Sequence, residues 1–141
     1  FADIFELRSL IEPTSAARAA RHALPEDLVE LGTITEEMQA LSAEDIGSHS
    51  ARLVVLDSRF HAAIAKACGN ELIEETLGRL FKQMHIFRLR YHSDVAHAVI
   101  EEHIDILAAI SAHDPARAEA AMRGHIEAGR ARIGSHVRER D

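Results

Sequence analysis

The spacing of apolar residues constrains this chain most. They recur at helical intervals along almost its whole length, and no stretch alternates apolar and polar residues as a half-buried strand does. Punctuating residues divide the periodic sequence into six predicted helices. The first covers 3–21, with Ile4, Leu7 and Ile11 on one face. Pro25 stands where a first-turn proline is tolerated and opens a second helix, lasting to about residue 41. Ser42-Ala-Glu-Asp resembles a capping box and starts a third over 42–68. Gly69-Asn70 supplies a C-terminal stop and then a cap for a fourth, 71–91. Ser93 caps a fifth that ends near 112, and Asp114-Pro115 opens the sixth, to about 138. Connections this short fold each helix back on its neighbour. The expected fold is therefore all-α, an antiparallel bundle of about six helices.

A length of 141 residues fits one domain, and 47% hydrophobic residues give it material for a core. No run of about 18 uncharged apolar residues exists, so no membrane span is expected. The opening Phe1-Ala-Asp-Ile-Phe-Glu is neither a signal peptide nor an initiator methionine, and suggests part of a longer or processed protein. The single cysteine, Cys68, excludes an intramolecular disulfide and a CxxC metal site, and favours a reducing, cytoplasmic setting. A net charge of −7, from 16 basic and 23 acidic residues, suits duplex DNA poorly, because that binding rests on neutralising phosphates. Any DNA contact would have to come from a segment absent here. Ten histidines are the unusual feature.

Four residues carry the chemistry. Asp57 and His61 are four apart and project from one helical face with Leu53, Phe60 and Ile64. A carboxylate on an apolar face is costly unless it is paired or binds a cation, and pairing with protonated His61 would suffice for these two alone. His103 lies eleven residues before Asp114, and His125 eleven after it. With about 1.5 Å rise per residue, both stand about 16 Å from an Asp114-Pro115 hairpin turn, at one level of two antiparallel helices. His103 shares its face with Val99, Ile106, Leu107 and Ile110, and His125 shares its own with Ala118, Ala121, Met122 and Gly129. Two inward histidines repel if protonated and make poor core if neutral, and a metal resolves both problems. Asp57, His61, His103 and His125 are thus the candidate ligands of a central metal cavity. On ligand type Zn²⁺, Ni²⁺, Mn²⁺ and Fe²⁺ suit this set about equally well and geometry decides among them; Zn²⁺ is taken as the first expectation.

Arg8 lies near the inward side of the first helix. It can pair with Glu12 one turn on, or offer its guanidinium fork to a ligand carboxylate. Arg88 is a second candidate of that kind, on a face with Leu77, Phe81 and Met84. His22, His49, His85, His92, His97, His113 and His136 fall mostly near helix ends or on polar faces, where solvated or capping roles are expected. A mononuclear metalloenzyme or a metal-binding helical bundle is an alternative reading. A di-iron bundle is not, because no Glu-x-x-His occurs, and no further carboxylate evidently faces the site as a base. A structural interaction module with Asp57 and His61 as an ion pair is a third.

The residues also resemble a family. Phe5-Glu-Leu-Arg-Ser-Leu-Ile-Glu12-Pro, Ala16-Ala-Arg-Ala-Ala20, Asp57-Ser-Arg-Phe-His61, Gly69-Asn70-Glu-Leu72, Glu102-His103-Ile-Asp-Ile-Leu-Ala-Ala-Ile110, Asp114-Pro-Ala-Arg-Ala118 and Met122-Arg-Gly-His125 resemble, in order, the FCD effector-binding domain of GntR-family bacterial transcription regulators. Six helices look more like its shorter, VanR-like branch. The resemblance implies a divalent metal on one aspartate and three histidines, matching Asp57, His61, His103 and His125. It also implies a small organic acid as effector, held in part by a basic residue such as Arg8, and no enzymatic activity. A homodimer is implied too, with an N-terminal winged helix-turn-helix that binds operator DNA and is absent from residues 1–141.

Overall fold

A computed structural model describes residues 2–41, 50–90 and 96–140, and the side chains of all of these except 50, 86–90, 96 and 135–140. Its helices are α1 (Ala2–His22), α2 (Pro25–Gln39), α3 (Ser50–Ala67), α4 (Glu71–Arg90), α5 (Ala96–Ser111) and α6 (Pro115–Arg140). No strand occurs among the described residues, and none of their helices is long and apolar enough to cross a membrane. The Ser42 capping box and the Ser93 cap lie outside the described residues.

Local chemistry sets the ends that are described. Asn70 Oδ1 accepts the backbone N–H groups of Leu72 and Ile73, both at 3.0 Å, and so caps α4. Gly69, with φ of +73°, ends the preceding helix in the left-handed region. A Cβ there meets only the His22 Cβ, at 3.9 Å, so the cost of a side chain is conformational. Gly69→Ala is expected to lower stability by about 1–2 kcal/mol, read as a shift in the urea midpoint. A loss below a few tenths would contradict that reading. Between α5 and α6 the left-handed position falls to His113 (φ +53°), whose Nδ1–H donates to the Ala20 carbonyl at 3.0 Å. Asp114 then accepts the Arg117 N–H at 3.1 Å, just before Pro115 begins α6.

α1 packs most extensively along α6, and α3 along α4. The main core joins Phe5, Leu31, Ile34, Met38, Leu56, Phe60, Ile64, Ile106, Ile110, Met122 and Ile126. The apolar face of α1 is only partly buried. Leu7 is 37% exposed, while Ile4 and Ile11 pack at the edge of a smaller cluster with Leu77, Leu80 and Phe81. The buried face of α1 carries Phe5, Arg8, Glu12, Ser15, Ala16 and Ala19 instead. Arg8 and Glu12 occupy that face as a pair one turn apart, and His61 of α3 supplies Glu12 with a further partner. α1 also runs through Pro13, which cannot donate to the Ser9 carbonyl one turn back. Arg123 Nη1 of α6 lies 3.5 Å from that carbonyl.

Candidate metal centre

The helical hairpin α5–α6 and the neighbouring α3 bring the four predicted ligands together. Asp57, His61, His103 and His125 are all buried, and one donor atom from each lies within 4.8 Å of the others. His61 Nε2 is 3.1 Å from His125 Nε2 and 3.3 Å from Asp57 Oδ1, and His103 Nε2 is 2.7 Å from the same oxygen. Separations near 3 Å suit neighbouring ligands each about 2.0–2.1 Å from a single ion. The rings of His103 and His125 sit 4.7 Å apart between centroids, which places the two histidines at one level as expected. Phe60 meets the His103 ring edge-on at 4.6 Å, and Phe81 meets the His61 ring at 5.8 Å, so apolar rings wall the cluster.

What orients the imidazoles is a second layer that sequence reasoning missed. His61 Nδ1–H donates to Glu12 Oε1, whose other oxygen takes the Arg8 Nε–H. His125 Nδ1–H donates to Glu102 Oε1 at 2.7 Å, and Arg132 grips Glu102 with two bonds of 2.8 and 2.9 Å. His103 Nδ1–H donates to the Val99 carbonyl at 2.6 Å. Every Nδ1 is therefore engaged outward, and the three Nε2 atoms face one another across the same small space. This arrangement, an imidazole held through its far nitrogen, is how proteins fix metal-binding histidines. The donors fit a divalent transition ion.

No spare carboxylate was expected to face the cluster as a base, and Glu12 and Glu102, which the sequence did not single out, both touch its histidines. Neither is a free base, since each holds an imidazole N–H and an arginine. A faint signal existed in the sequence, because Glu12 follows Arg8 by one turn and precedes a run of small alanines, a face suited to close packing. Glu102 had only its place next to His103. Arg8 lies where its pair with Glu12 was foreseen. The Arg88 side chain lies outside the described residues, as do His49, His92 and the side chain of His136. His22, His97 and His113 are exposed and His85 is half-buried, in keeping with peripheral roles.

Charge follows the contacts. Burial works against the charged form of Glu12, but the Arg8 and His61 charges outweigh it and hold the carboxyl well below its usual range. Burial likewise opposes a charge on His61, yet Glu12 and Asp57 push its pKa above the ordinary value. His125 is pulled down to about 3 by burial, and the neighbouring His103 and His61 add to this against the bond to Glu102. Glu102 itself is lowered to about 2, because bonds from His125 and Arg132 overcome its burial. His125 is thus neutral, with its proton on Nδ1 and a lone pair on Nε2.

A histidine whose folded pKa is depressed favours the fold above its unfolded value of 6.5, and loses that advantage as pH falls toward 3. Glu102 adds a loss between 4.5 and about 2. His61, shifted upward, contributes fully below 6.5 and does not offset the trend there. The urea midpoint of the metal-stripped domain is expected to be lower at pH 4.5 than at pH 6.5. An equal or higher midpoint contradicts this assignment.

Fold and site together define an all-α binding domain built around a buried cluster of three histidines and one aspartate. Comparison with known families is specific: the FCD domain model matches residues 3–128, so the chain belongs to the FCD family, the effector-binding, non-enzymatic domain of GntR-family regulators. Streptococcus agalactiae GntR is 26% identical, with a TM-score of 0.77 over 92% of this chain and 57% of that one. E. coli McbR/YncC shares the fold at 19% identity, with a TM-score of 0.82 over 96% of this chain and 65% of that one. The chain thus spans less than two thirds of either solved chain. No curated protein matches it.

Proposed function

We propose that this domain is a metal-dependent sensor of small organic acids in a GntR-family transcription regulator. In this reading Asp57, His61, His103 and His125 hold one divalent ion, Zn²⁺ foremost. The carrying observation is that all three histidines spend Nδ1 on outward acceptors and present Nε2 inward. A bound ion of this kind would supply a Lewis-acidic centre, and octahedral geometry would leave it open positions for an acid's oxygen beside the four protein ligands.

Arg8 supports the acid. It is buried, Glu12 occupies its Nε, and its Nη2 has no hydrogen-bond partner. A buried guanidinium with a spare N–H is costly unless something accepts from it, and a carboxylate oxygen does so well. Arg88 of α4 is the second residue assigned to the acid.

Glu12 gives the site a mechanical outlet. It ties His61 of α3 to α1, so a change in His61 orientation is felt directly on the helix nearest the N-terminus. The full protein in this reading is a cytoplasmic homodimer that carries a winged helix-turn-helix before α1 and meets operator DNA through it. Acid binding would shift α1, and through it DNA affinity. That is allostery if acid affinity differs between the two DNA-binding states.

Titration of acetate, lactate, citrate and benzoate against full-length protein on operator DNA tests this. A change in DNA affinity that appears with Zn²⁺ and vanishes after chelation is expected. If no acid alters DNA affinity in a metal-dependent way, the sensing function is wrong.

A further inference from the structure

The layer behind the histidines is unequal. Glu12 and Arg8, behind His61, are 2% and 4% exposed, whereas Glu102 and Arg132, behind His125, are 24% and 19% exposed. The three histidines differ in the same sense: His61 and His103 side chains are wholly buried, while His125 retains 7% exposure and the fourth donor, Asp57, 11%. His125 is the histidine whose backing reaches solvent. That backing is also the more constrained in direction, because Arg132 grips both oxygens of Glu102 and one of them also takes the His125 N–H. The planar fork fixes the carboxylate plane, and the carboxylate fixes the ring.

We propose that Glu102 and Arg132 form a positioning clasp on His125, and that His125 is the histidine that lets go first when a bound ion is exchanged. The inference rests on the metal reading above and assigns roles to two residues outside the ligand set. While the clasp is shut, His125 Nε2 stays aimed at the other donors. With Arg132 withdrawn, Glu102 can rotate and the imidazole can swing without disturbing α1. Exchange at His61 would instead have to break a fully buried pair.

The test is competition between the full chain and a chromophoric chelator for Zn²⁺, with release followed in stopped flow. Glu102→Gln puts an amide NH₂ where either His125 or Arg132 needs an acceptor, and is expected to weaken affinity about 10- to 100-fold. Most of that loss should be faster release. Arg132→Met should weaken binding in the same direction, and Arg132→Lys should restore part of it, having the charge without the fork. A shifted visible spectrum in Co²⁺-loaded Glu102→Gln would report altered ligation, which a merely structural clasp would not produce. Parental affinity and release rate in both Glu102→Gln and Arg132→Met overturn the proposal. So does lower melting of the stripped protein with affinity unchanged. If Glu102→Gln fails to fold, the two Arg132 variants decide alone. A parent chain that binds no Zn²⁺ removes the metal reading first, and the clasp with it; a parent that binds normally confines any failure to the clasp.

Discussion

Glu12→Ala is expected to destabilise the domain by about 3–5 kcal/mol, measured by urea denaturation of the metal-stripped protein at neutral pH. The size comes from what is left behind. Arg8 would remain a buried guanidinium with no carboxylate, and His61 Nδ1–H would lose its acceptor inside the core. Breaking a buried pair on one side costs far more than the pair contributes, whereas replacing both partners with apolar residues can be neutral. Arg8→Met combined with Glu12→Leu should therefore recover the part of the loss due to Arg8, while the His61 N–H without its acceptor keeps about 1–3 kcal/mol of it. It should not recover Zn²⁺ affinity, which is expected to stay about 10- to 100-fold weak because His61 is no longer aimed. Stability and affinity that recover together would mean Glu12 is a structural charge with no hold on His61. A single-variant cost below about 1 kcal/mol would contradict its placement in the core.

The second large effect is removal of the ion. A ligand that binds only the folded chain, at about 1,000 times its dissociation constant, stabilises it by about 4 kcal/mol. For a domain of this size that corresponds to a melting shift of about 10–15 °C. Zn²⁺ is expected to raise the melting temperature of the stripped protein by that order, and excess chelator to reverse it. His103→Ala should abolish the shift. That variant removes one donor, leaves Asp57 without its 2.7 Å partner and takes away the edge contact with Phe60. A shift of the same size in His103→Ala would place the ion elsewhere.

Much of this was legible in the sequence, for identifiable reasons. A helical period needs no partner to be recognised, so α1, α2, α4 and α6 begin within a residue of their predicted starts. Gly69, Asn70 and Asp114 mark ends through chemistry confined to a few neighbouring residues. The four candidate ligands were legible because i,i+4 spacing and equal distance from a turn are one-dimensional facts that a hairpin converts into proximity. The inward face of α1 was legible only at Arg8. Ile4, Leu7 and Ile11 form the apolar stripe a period count selects, yet Arg8 and Glu12 are the residues buried there. Their burial is repaid on α3 by His61, 49 positions away from Glu12, and no local pattern records that. Glu102 and Arg132 are 30 residues apart and meet only because α5 and α6 lie side by side.

The measurement that bears most directly on the centre is metal analysis of the purified full-length protein joined to X-ray absorption at the edge of whatever ion it contains. About one divalent transition ion per chain, with a first shell of three imidazoles and at least one carboxylate oxygen, is the expected result. No stoichiometric ion, together with melting unaltered by chelator, would contradict it and leave Asp57 and the three histidines as a buried ion-paired network alone.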